Sequence, residues 1–521
     1  MFVDVVDLPQ RNKWLIVVTI LFTLGLSMGI LSAIVAFRNP ILSVTLAAVI
    51  ASSVLGTWRP RISFFLFLAL LPFVDFLKRL QLTFTAPSSL EWYLVLALPD
   101  ILLLSTAVGV VFKQAIVKRQ LTIKMGRAEW WLLAFLGSML LSVAHSVFPI
   151  TVSMAVFKLS GLYILVYFLA PALITERQHL RFLLKMSFVL SLVVVLYGLW
   201  QTAFGMTSFE EKWLTGGYTG LEVETIIFYT LRPFSTLSGP QAYAYYLAIG
   251  LICGLAYIRG FVPPNTRRLW YVGAFLGAVA IGLSLTRSAI LLFVLAWLLG
   301  RWLPKTRLRR RPMMLFFLGS LSIVGSVVLL LRFGDPIQSW ALSSGIPVIQ
   351  RAFVVGTLSD RFRGWYGIAT DSRYWTFLGY GLGTTASTVM RKYGLIFDLF
   401  THDEYTGLLV EQGLIGLTLL LGFLLAWMRF VMLRLQTVQS VRLARTGWAL
   451  MGLSLGLLLV GMLGTFLKVS PINVYFWLIA GLLARSIFFE SGDIRLSPGS
   501  GDVPFSGEEM PMPAKDVLSS R

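Results

Sequence analysis

The chain has 521 residues, of which 57% are hydrophobic and only 13% charged, and its mean hydropathy is +0.80. A soluble domain carries about a quarter charged residues, so this chain could not cover a water-facing surface of its size. The composition excludes a cytosolic enzyme, a disordered chain and a fibrous repeat. It predicts an all-α polytopic membrane protein. The long outer segment 332–404, with helical spacing of apolar residues at 347–369, predicts a large, partly helical periplasmic loop.

Apolar runs of about 20 residues predict about twelve to fourteen transmembrane helices, because that length spans the hydrocarbon core. The predicted spans are 14–36, 41–57, 62–77, 92–112, 129–147, 151–174, 182–204, 241–258, 269–285, 288–303, 313–331, 405–431, 447–466 and 472–489. The short neighbouring runs at 41–57 and 269–303 leave open that some are merged or re-entrant. Residues 1–331 then hold most of the helices with an outer loop at 205–240, residues 332–404 form the large loop, residues 405–489 hold the last helices, and residues 490–521 form a disordered tail.

The net charge of +20 is distributed unevenly along the chain. Lys and Arg recur in every second connection and are sparse in the alternate ones, which predicts cytoplasmic termini by the positive-inside rule. The basic connections lie at 59–61, 113–127, 177–185, 267–268, 301–311 and 429–445. We therefore interpret these clusters as topology anchors and expect no nucleic-acid partner.

A few arginines occur on the predicted outer side, against this bias. Arg287 lies between two apolar runs in Ser284–Ser288, where the alternatives are a snorkelling interface residue and a polar binding pocket. Arg232 precedes the helix at 241–258 and has an ordinary loop position as its alternative. Arg361 and Trp365 are one helical turn apart, so they share a face and a packing or cation–π role is the simpler explanation.

The segment from Thr401 to Tyr405 immediately precedes the long helix predicted at 405–431. Thr401 and Glu404 have capping-box spacing, which favours Glu404 as a cap over a catalyst. His402 is expected at the outer N-terminus of this helix, where the partial positive charge attracts anions and keeps imidazole neutral. A neutral imidazole can accept a proton.

Several outer arginines suit a phosphate or pyrophosphate, since Arg offers permanently charged, bidentate donors. The predicted outer loops contain no Asp-x-Asp metal pair, and the chain has one cysteine and three histidines. We therefore expect no metal and no cofactor. A glycosyl-pyrophosphate lipid would need charge neutralisation at its leaving group and a base for the attacking hydroxyl.

Four patches in residues 230–420 resemble, in order, the O-antigen ligase and Wzy-type polysaccharide polymerase superfamily. They are Leu231-Arg232 to Gly239-Pro240-Gln241, Leu285-Thr286-Arg287-Ser288, Arg361-x3-Trp365 with Gly379-Tyr380-Gly381-Leu382-Gly383, and His402-Asp403-x-Tyr405 with Glu411-x-Gly413-x-x-Gly416-Leu417. The first patch departs from the family pattern at Ser235, Leu237 and Gln241, and the last at Asp403, where Asn or Ser is usual.

This resemblance implies an all-helical inner-membrane glycosyltransferase with its active site facing the periplasm. Its donor would be a glycan on undecaprenyl pyrophosphate, and its acceptor lipid A core or another glycan. Arg232, Arg287 and Arg361 would bind the pyrophosphate, with Trp365 and Tyr405 beside the substrate.

In the same scheme His402 is the candidate base, Asp403 orients its ring and Glu404 is the reserve base. Ligase and polymerase activity are not separated by these patches. Two other classes stay open: a flippase or secondary transporter for lipid-linked sugars, and a non-catalytic polysaccharide assembly protein.

Overall fold

In the computed structural model, the structure describes residues 40–81, 90–117, 126–215, 226–227, 230–305, 312–345, 350, 356–385 and 403–485. These residues form seventeen α-helices and one short hairpin, connected by turns of 3-10 or π helix. The first nine helices are α1 (Pro40–Trp58), α2 (Pro60–Leu70), α3 (Val74–Gln81), α4 (Leu90–Phe112), α5 (Arg127–Ala144), α6 (Ile150–Ser160), α7 (Leu165–Leu173), α8 (Arg177–Phe204) and α9 (Ser208–Thr215). The remaining eight are α10 (Pro240–Phe261), α11 (Arg267–Leu283), α12 (Arg287–Trp302), α13 (Pro312–Ser343), α14 (Gly356–Thr370), α15 (Glu404–Leu435), α16 (Val441–Val460) and α17 (Ile472–Arg485).

The prediction of an all-α multi-pass membrane protein is confirmed at this level. Within the described residues, seven helical segments are long and apolar enough to cross a membrane, and two shorter helices are apolar as well. The first predicted span, 14–36, lies outside the described residues. The total of twelve to fourteen spans and the periplasmic location of the large loop stay predictions.

Two predicted spans are each built from more than one helix. The run predicted at 62–77 divides at Leu71–Phe73, a 3-10 turn that contains Pro72. Proline has no backbone N–H to donate, so an α-helix is readily interrupted there. The run predicted at 151–174 divides at Gly161 and a 3-10 turn, where glycine has low helix propensity.

Two helix boundaries differ from the predicted spans. The helix predicted to end at 331 continues to Ser343, because a helix need not stop where its apolar side chains do. The span predicted at 447–466 is the helix Val441–Val460, followed by a turn-rich connection. Hydropathy indicates which residues lie in the hydrocarbon of the membrane. The ends of the hydrogen-bonded helix are set by its caps, so the two sets of boundaries can differ.

Helices α10 and α16 form the centre of the bundle, because 83% of the residues in the apolar stretch of each helix are buried. Small residues allow α16 to approach α12 closely: a Cβ on Gly452 would lie 2.5 Å from the carbonyl oxygen of Ala296, and one on Gly300 would lie 3.0 Å from the Cα of Ala449. Close backbone approach of this kind is the usual packing device of membrane helices.

The strands Ile226–Ile227 and Thr230–Leu231 form an antiparallel hairpin just before Arg232, with Ile226 opposite Leu231. This hairpin belongs to one end of the bundle, which also holds the described connections 145–149, 205–215, 230–239, 284–286, 371–385 and 461–471. We call this the network end. The opposite end, called the basic end, holds the connections 174–176, 262–266 and 436–440 and the end of α12.

Candidate functional site

Arg232 joins the hairpin segment to the turn between α11 and α12. Its side chain is buried, with Nε donating to the carbonyl oxygen of Ser284 at 3.0 Å and Nη2 donating to Oγ1 of Thr286 at 2.8 Å. Thr286 directly precedes Arg287, the first residue of α12, which is half-buried. Two of the arginines that the sequence assigns to pyrophosphate are therefore on adjoining segments.

Backbone strain occurs at both of these segments. Among the described residues, Ser235 (φ 52°) and Leu285 (φ 54°) are the non-glycine residues with positive φ. This conformation costs about 1–2 kcal/mol for a residue that has a Cβ. Such strain persists only where surrounding contacts enforce it, and it is frequent at functional sites.

The contacts that enforce it at Ser235 come from two distant helices, α3 and α8. The amide of Ser235 donates to Oε1 of Gln201 at 2.7 Å, and its carbonyl oxygen accepts from Nη2 of Arg79 at 2.7 Å. Its hydroxyl donates to the carbonyl oxygen of Val194 at 2.7 Å. Every polar group of this residue is thereby held, and the backbone that leads from Arg232 to α10 is fixed.

Arg79 is fully buried and forms an ion pair with Glu210, at 3.5 Å between Nη1 and Oε1. Its guanidinium also faces the rings of Phe234 at 4.7 Å and Trp213 at 5.5 Å. Oε1 of Glu210 accepts a hydrogen bond from Nε2 of Gln201 at 2.7 Å. A buried charge is tolerated when it is paired and hydrogen-bonded in this way.

Helix α14 docks on the N-terminus of α15 through one hydrogen bond between side chains. Nε1 of Trp365 donates to Oδ2 of Asp403 at 3.0 Å. Arg361 lies one turn earlier on α14, so it lies close to the point where this helix contacts the N-terminus of α15. The third predicted arginine thus lies at the same end as Arg232 and Arg287.

Asp403, rather than Thr401, caps helix α15. Its Oδ1 accepts from the amide of Thr406 at 2.8 Å, and its Oδ2 also accepts from the hydroxyl of Thr406. The predicted capping box between Thr401 and Glu404 is therefore wrong, because Asp is an equally good cap and stands one residue before the helix. Burial raises the pKa of Asp403, while the hydrogen bonds from Thr406 and Trp365 act in the opposite direction.

Glu404 binds a neighbouring connection and is buried. Its Oε2 accepts from the amides of Phe466 at 2.8 Å and Leu467 at 3.0 Å, while its own amide donates to the carbonyl oxygen of Gly461 at 2.8 Å. Tyr405 donates its hydroxyl to the carbonyl oxygen of Leu458 at 2.7 Å. These contacts hold the connection 461–471 against α15, and the proposed roles as reserve base and substrate contact stay predictions.

A second carboxylate, Glu411, lies two turns further along α15 and is fully buried. Its Oε2 accepts from Nζ of Lys468 at 2.7 Å, and its Oε1 accepts from the hydroxyl of Thr385 at 2.7 Å. Nζ of Lys468 also donates to Oγ1 of Thr385 at 3.0 Å. The three side chains tie together α15, the large loop and the connection that Glu404 holds.

Helix α15 is interrupted at Gly413, whose φ of 66° and ψ of −166° are non-helical. The carbonyl oxygens of Thr376 and Phe377 accept from the amides of Leu414 at 2.9 Å and Ile415 at 3.1 Å, so the large loop replaces the missing helical bonds. A Cβ on Gly413 would lie 2.3 Å from the carbonyl oxygen of Phe377. Glycine is required here for both its φ and its size.

The glycine-rich segment of the large loop continues along the same break. The amides of Tyr380 and Gly381 donate to the carbonyl oxygens of Val410 at 2.9 Å and Glu411 at 3.0 Å. A Cβ on Gly379 would lie 2.5 Å from the carbonyl carbon of Glu411. The spacing of glycines in residues 379–383 thus has a packing explanation that is independent of any ligand.

The structure places Arg232, Arg287, Arg361, Trp365, Asp403, Glu404 and Tyr405 at the network end. His402 lies outside the described residues, so its side chain and the predicted orientation of its ring by Asp403 are untested. Within the described residues, no group of three or more His, Cys, Asp and Glu side chains is arranged to hold a metal ion.

Sequence reasoning missed four polar residues that build this end: Arg79, Gln201, Glu210 and Lys468. The signal was present for Arg79 and Lys468, since both are basic residues in connections predicted to face outward. Basic residues on the predicted outer side run against the positive-inside bias. They are therefore candidate functional or structural residues for the same reason as Arg232, Arg287 and Arg361. Nothing local pointed to Gln201 or Glu210 as their partners.

Comparison with known proteins finds no protein-family model and no curated protein that matches this chain.

Proposed function

We propose that the chain is an inner-membrane, metal-independent glycosyltransferase that moves a glycan from undecaprenyl pyrophosphate to an acceptor hydroxyl on the periplasmic side. One observation carries the proposal: Arg232, Arg287 and Arg361 come from segments far apart in sequence and lie at the same end of the bundle. A set of guanidinium groups there is suited to a pyrophosphate. The four sequence patches that resemble the O-antigen ligase and polysaccharide polymerase superfamily contribute to this end.

In the proposed reaction, the acceptor hydroxyl oxygen forms a bond with the anomeric carbon of the donor glycan. The bond from that carbon to the pyrophosphate oxygen breaks, and the electron pair leaves with the lipid pyrophosphate. Arg232, Arg287 and Arg361 would stabilise the charge of this leaving group, as fixed cations do in a dry site. The hydroxyl proton would pass to His402, with lipid A core or a second glycan as the acceptor.

A transfer assay on purified protein, with a lipid-linked glycan and candidate acceptors, tests the proposal. His402→Ala should lower turnover by about 10²–10⁴-fold, the usual contribution of a general base. His402→Gln separates two roles, because glutamine keeps a hydrogen bond but is no base at neutral pH. An active Gln variant would refute the base role, and a fully active Ala variant would remove His402 from the site.

The orientation needs a separate test. In a Cys253→Ala background, single cysteines at the exposed positions Ser372, at the network end, and Arg268, at the basic end, offer a matched pair. We expect an impermeant maleimide to label residue 372 in intact cells and residue 268 only after the membrane is opened. The reverse labelling pattern would place the network end in the cytoplasm and would refute the proposal.

A lipid-linked sugar transporter is the second candidate, and the break at Gly413 is the observation that favours it, since transporters often bind substrate at broken helices. Here, however, carbonyl oxygens of the chain's own loop fill the break. Detergent-solubilised protein separates the classes: a transferase forms product without a membrane barrier, whereas a transporter does not. A non-catalytic assembly protein would bind donor and also give no product.

A further inference from the structure

A cavity of about 610 Å³ lies at the basic end, far from the residues of the proposed active site. It is open to the surface and is lined by the last turns of α10 and α12, the first turns of α16 and the connection that precedes α16. Its volume falls in the range of about 300–1,000 Å³ that is typical of small-molecule sites. The two spans α10 and α16 end here, so the cavity lies at the level of the membrane surface.

Three arginines line this cavity, one from each helix: Arg259, Arg301 and Arg445. All three are exposed, and none of them is in an ion pair with another described residue. The described segments that flank the cavity, 259–268, 301–305 and 429–445, contain nine Lys and Arg residues and no Asp or Glu. The cavity therefore has a strong positive potential with no carboxylate of its own to neutralise it.

The walls between the arginines are apolar. Leu255 and Ala256 of α10, Trp297 of α12 and Trp448 of α16 line the cavity, and the guanidinium of Arg301 lies 5.6 Å from the ring centroid of Trp297. A free inorganic anion would gain no binding energy from these apolar walls. An anion attached to an acyl chain matches both the cationic groups and the apolar surface.

We propose that this cavity binds the phosphate head group of an anionic phospholipid from the leaflet at the basic end. Arg259, Arg301 and Arg445 donate to the phosphate oxygens, and the first acyl carbons lie along Trp297 and Leu255. This inference is independent of the proposed transferase activity. It assigns Arg301 and Arg445 a specific ligand in addition to a role as topology anchors.

The test is native mass spectrometry of the purified full-length protein with phosphatidylglycerol or phosphatidylcholine of identical acyl chains. Two double variants remove the same charge: Arg259→Gln/Arg445→Gln in the cavity, and Arg268→Gln/Arg442→Gln, whose exposed side chains do not line it. We expect the wild type and the control pair to retain phosphatidylglycerol about tenfold more tightly than phosphatidylcholine. The cavity pair should lose that preference.

Three outcomes would overturn the proposal. Equal loss in the control pair would mean that diffuse charge attracts the lipid. Equal retention of phosphatidylcholine, whose phosphate is balanced by the choline cation, would mean that the net negative charge of the head group is not recognised. Displacement by millimolar inorganic phosphate would mean that the lipid part is irrelevant. If the cavity pair fails to fold, Ala444→Phe keeps every arginine and fills the cavity from α16. Loss of phosphatidylglycerol from this variant supports the site, and full retention refutes it.

Discussion

Positive charge is handled in opposite ways at the two ends of the bundle. At the basic end, Arg259, Arg301 and Arg445 are exposed and line a cavity whose lining contains no carboxylate. At the network end, Arg79 and Lys468 are bound to the buried carboxylates Glu210 and Glu411, and Arg232 is buried against backbone and hydroxyl oxygens. The same residue type serves as a solvated anchor in one place and as an internal connector in the other.

The difference shows why counting Lys and Arg gives topology but not architecture. An exposed arginine stays solvated, so its position costs little free energy and contributes little to folding. The fold therefore does not have to supply it with particular partners. A buried arginine is stable only if its partners are supplied, so each one fixes several segments at once. The network end should therefore be sensitive to substitutions that the basic end tolerates.

Arg79→Met should have the largest effect, because it leaves the buried carboxylate of Glu210 without its cation and frees the carbonyl oxygen of Ser235. We expect a loss of about 3–5 kcal/mol in the free energy of unfolding, the usual result of breaking a buried pair. Arg442→Met at the basic end, where the side chain is exposed, should change it by less than about 0.5 kcal/mol. Thermal or denaturant unfolding in detergent measures both.

The double variant Arg79→Met/Glu210→Gln sharpens this contrast. It removes both charges and keeps an acceptor for Gln201, so it should recover part of the loss. Equal stability of the single and double variants would mean that Arg79 acts through packing on Phe234 and Trp213 and not through its charge.

Gly413→Ala should have the next largest effect. The added Cβ would lie 2.3 Å from the carbonyl oxygen of Phe377, and the φ of 66° disfavours any L side chain. Overpacking and strain together should cost about 2–4 kcal/mol. Gly137→Ala is the matched control, since its Cβ would meet nothing within 4 Å in a regular helix, and there the unfolding free energy should hold or rise. Wild-type stability of Gly413→Ala would show that the large loop is not packed on α15.

Features that depend on local sequence could be predicted, whereas features that depend on tertiary contacts could not. Apolar runs are local signals, so the described spans are found from the sequence, although the helix predicted to end at 331 continues to Ser343. The breaks at Pro72 and Gly161 were not predicted, although both residues are local signals. Arg79, Glu210 and Gln201 are brought together by tertiary packing, and no local pattern specifies that meeting. The glycines at 379–383 belong to one of the sequence patches, but their contact with the helix broken at Gly413 depends on a partner in another element.

Arg287→Lys tests whether a network-end arginine has a use beyond structure. Lysine keeps the charge but loses the planar fork that binds two phosphate oxygens. Transfer should fall by about tenfold or more, equivalent to roughly 1.4 kcal/mol at the transition state. Arg332→Lys, at an exposed position of α13, should have a smaller effect. Wild-type activity of both variants at normal expression would make Arg287 a snorkelling anchor, of the same kind as the arginines of the basic end.

Asp403 supplies the smallest contrast. Its counterpart at the basic end is Glu129, a buried carboxylate that accepts from the amide of Gly126 at 2.7 Å at the start of α5. Asp403→Ala removes the acceptor for the amide of Thr406 and for Trp365, and it should cost about 1–2 kcal/mol in the free energy of unfolding. Asp403→Asn keeps an oxygen acceptor at the cap and should stay within a few tenths of a kcal/mol of the wild type at low pH.

The pH dependence of the same variant decides which force dominates at this carboxyl group. Burial raises the pKa of Asp403 in the folded protein above its ordinary value of 3.8. The unfolded chain therefore loses this proton first as pH rises, so the contribution of Asp403 to stability falls between the two pKa values and is constant above the folded one. Asn cannot titrate, so the stability of Asp403→Asn relative to wild type should increase across that window, as measured by unfolding in detergent at a series of pH values. A decrease would mean that the donors Thr406 and Trp365 favour the carboxylate by more than burial disfavours it, and the network end would then hold an ionised group without a cation beside it.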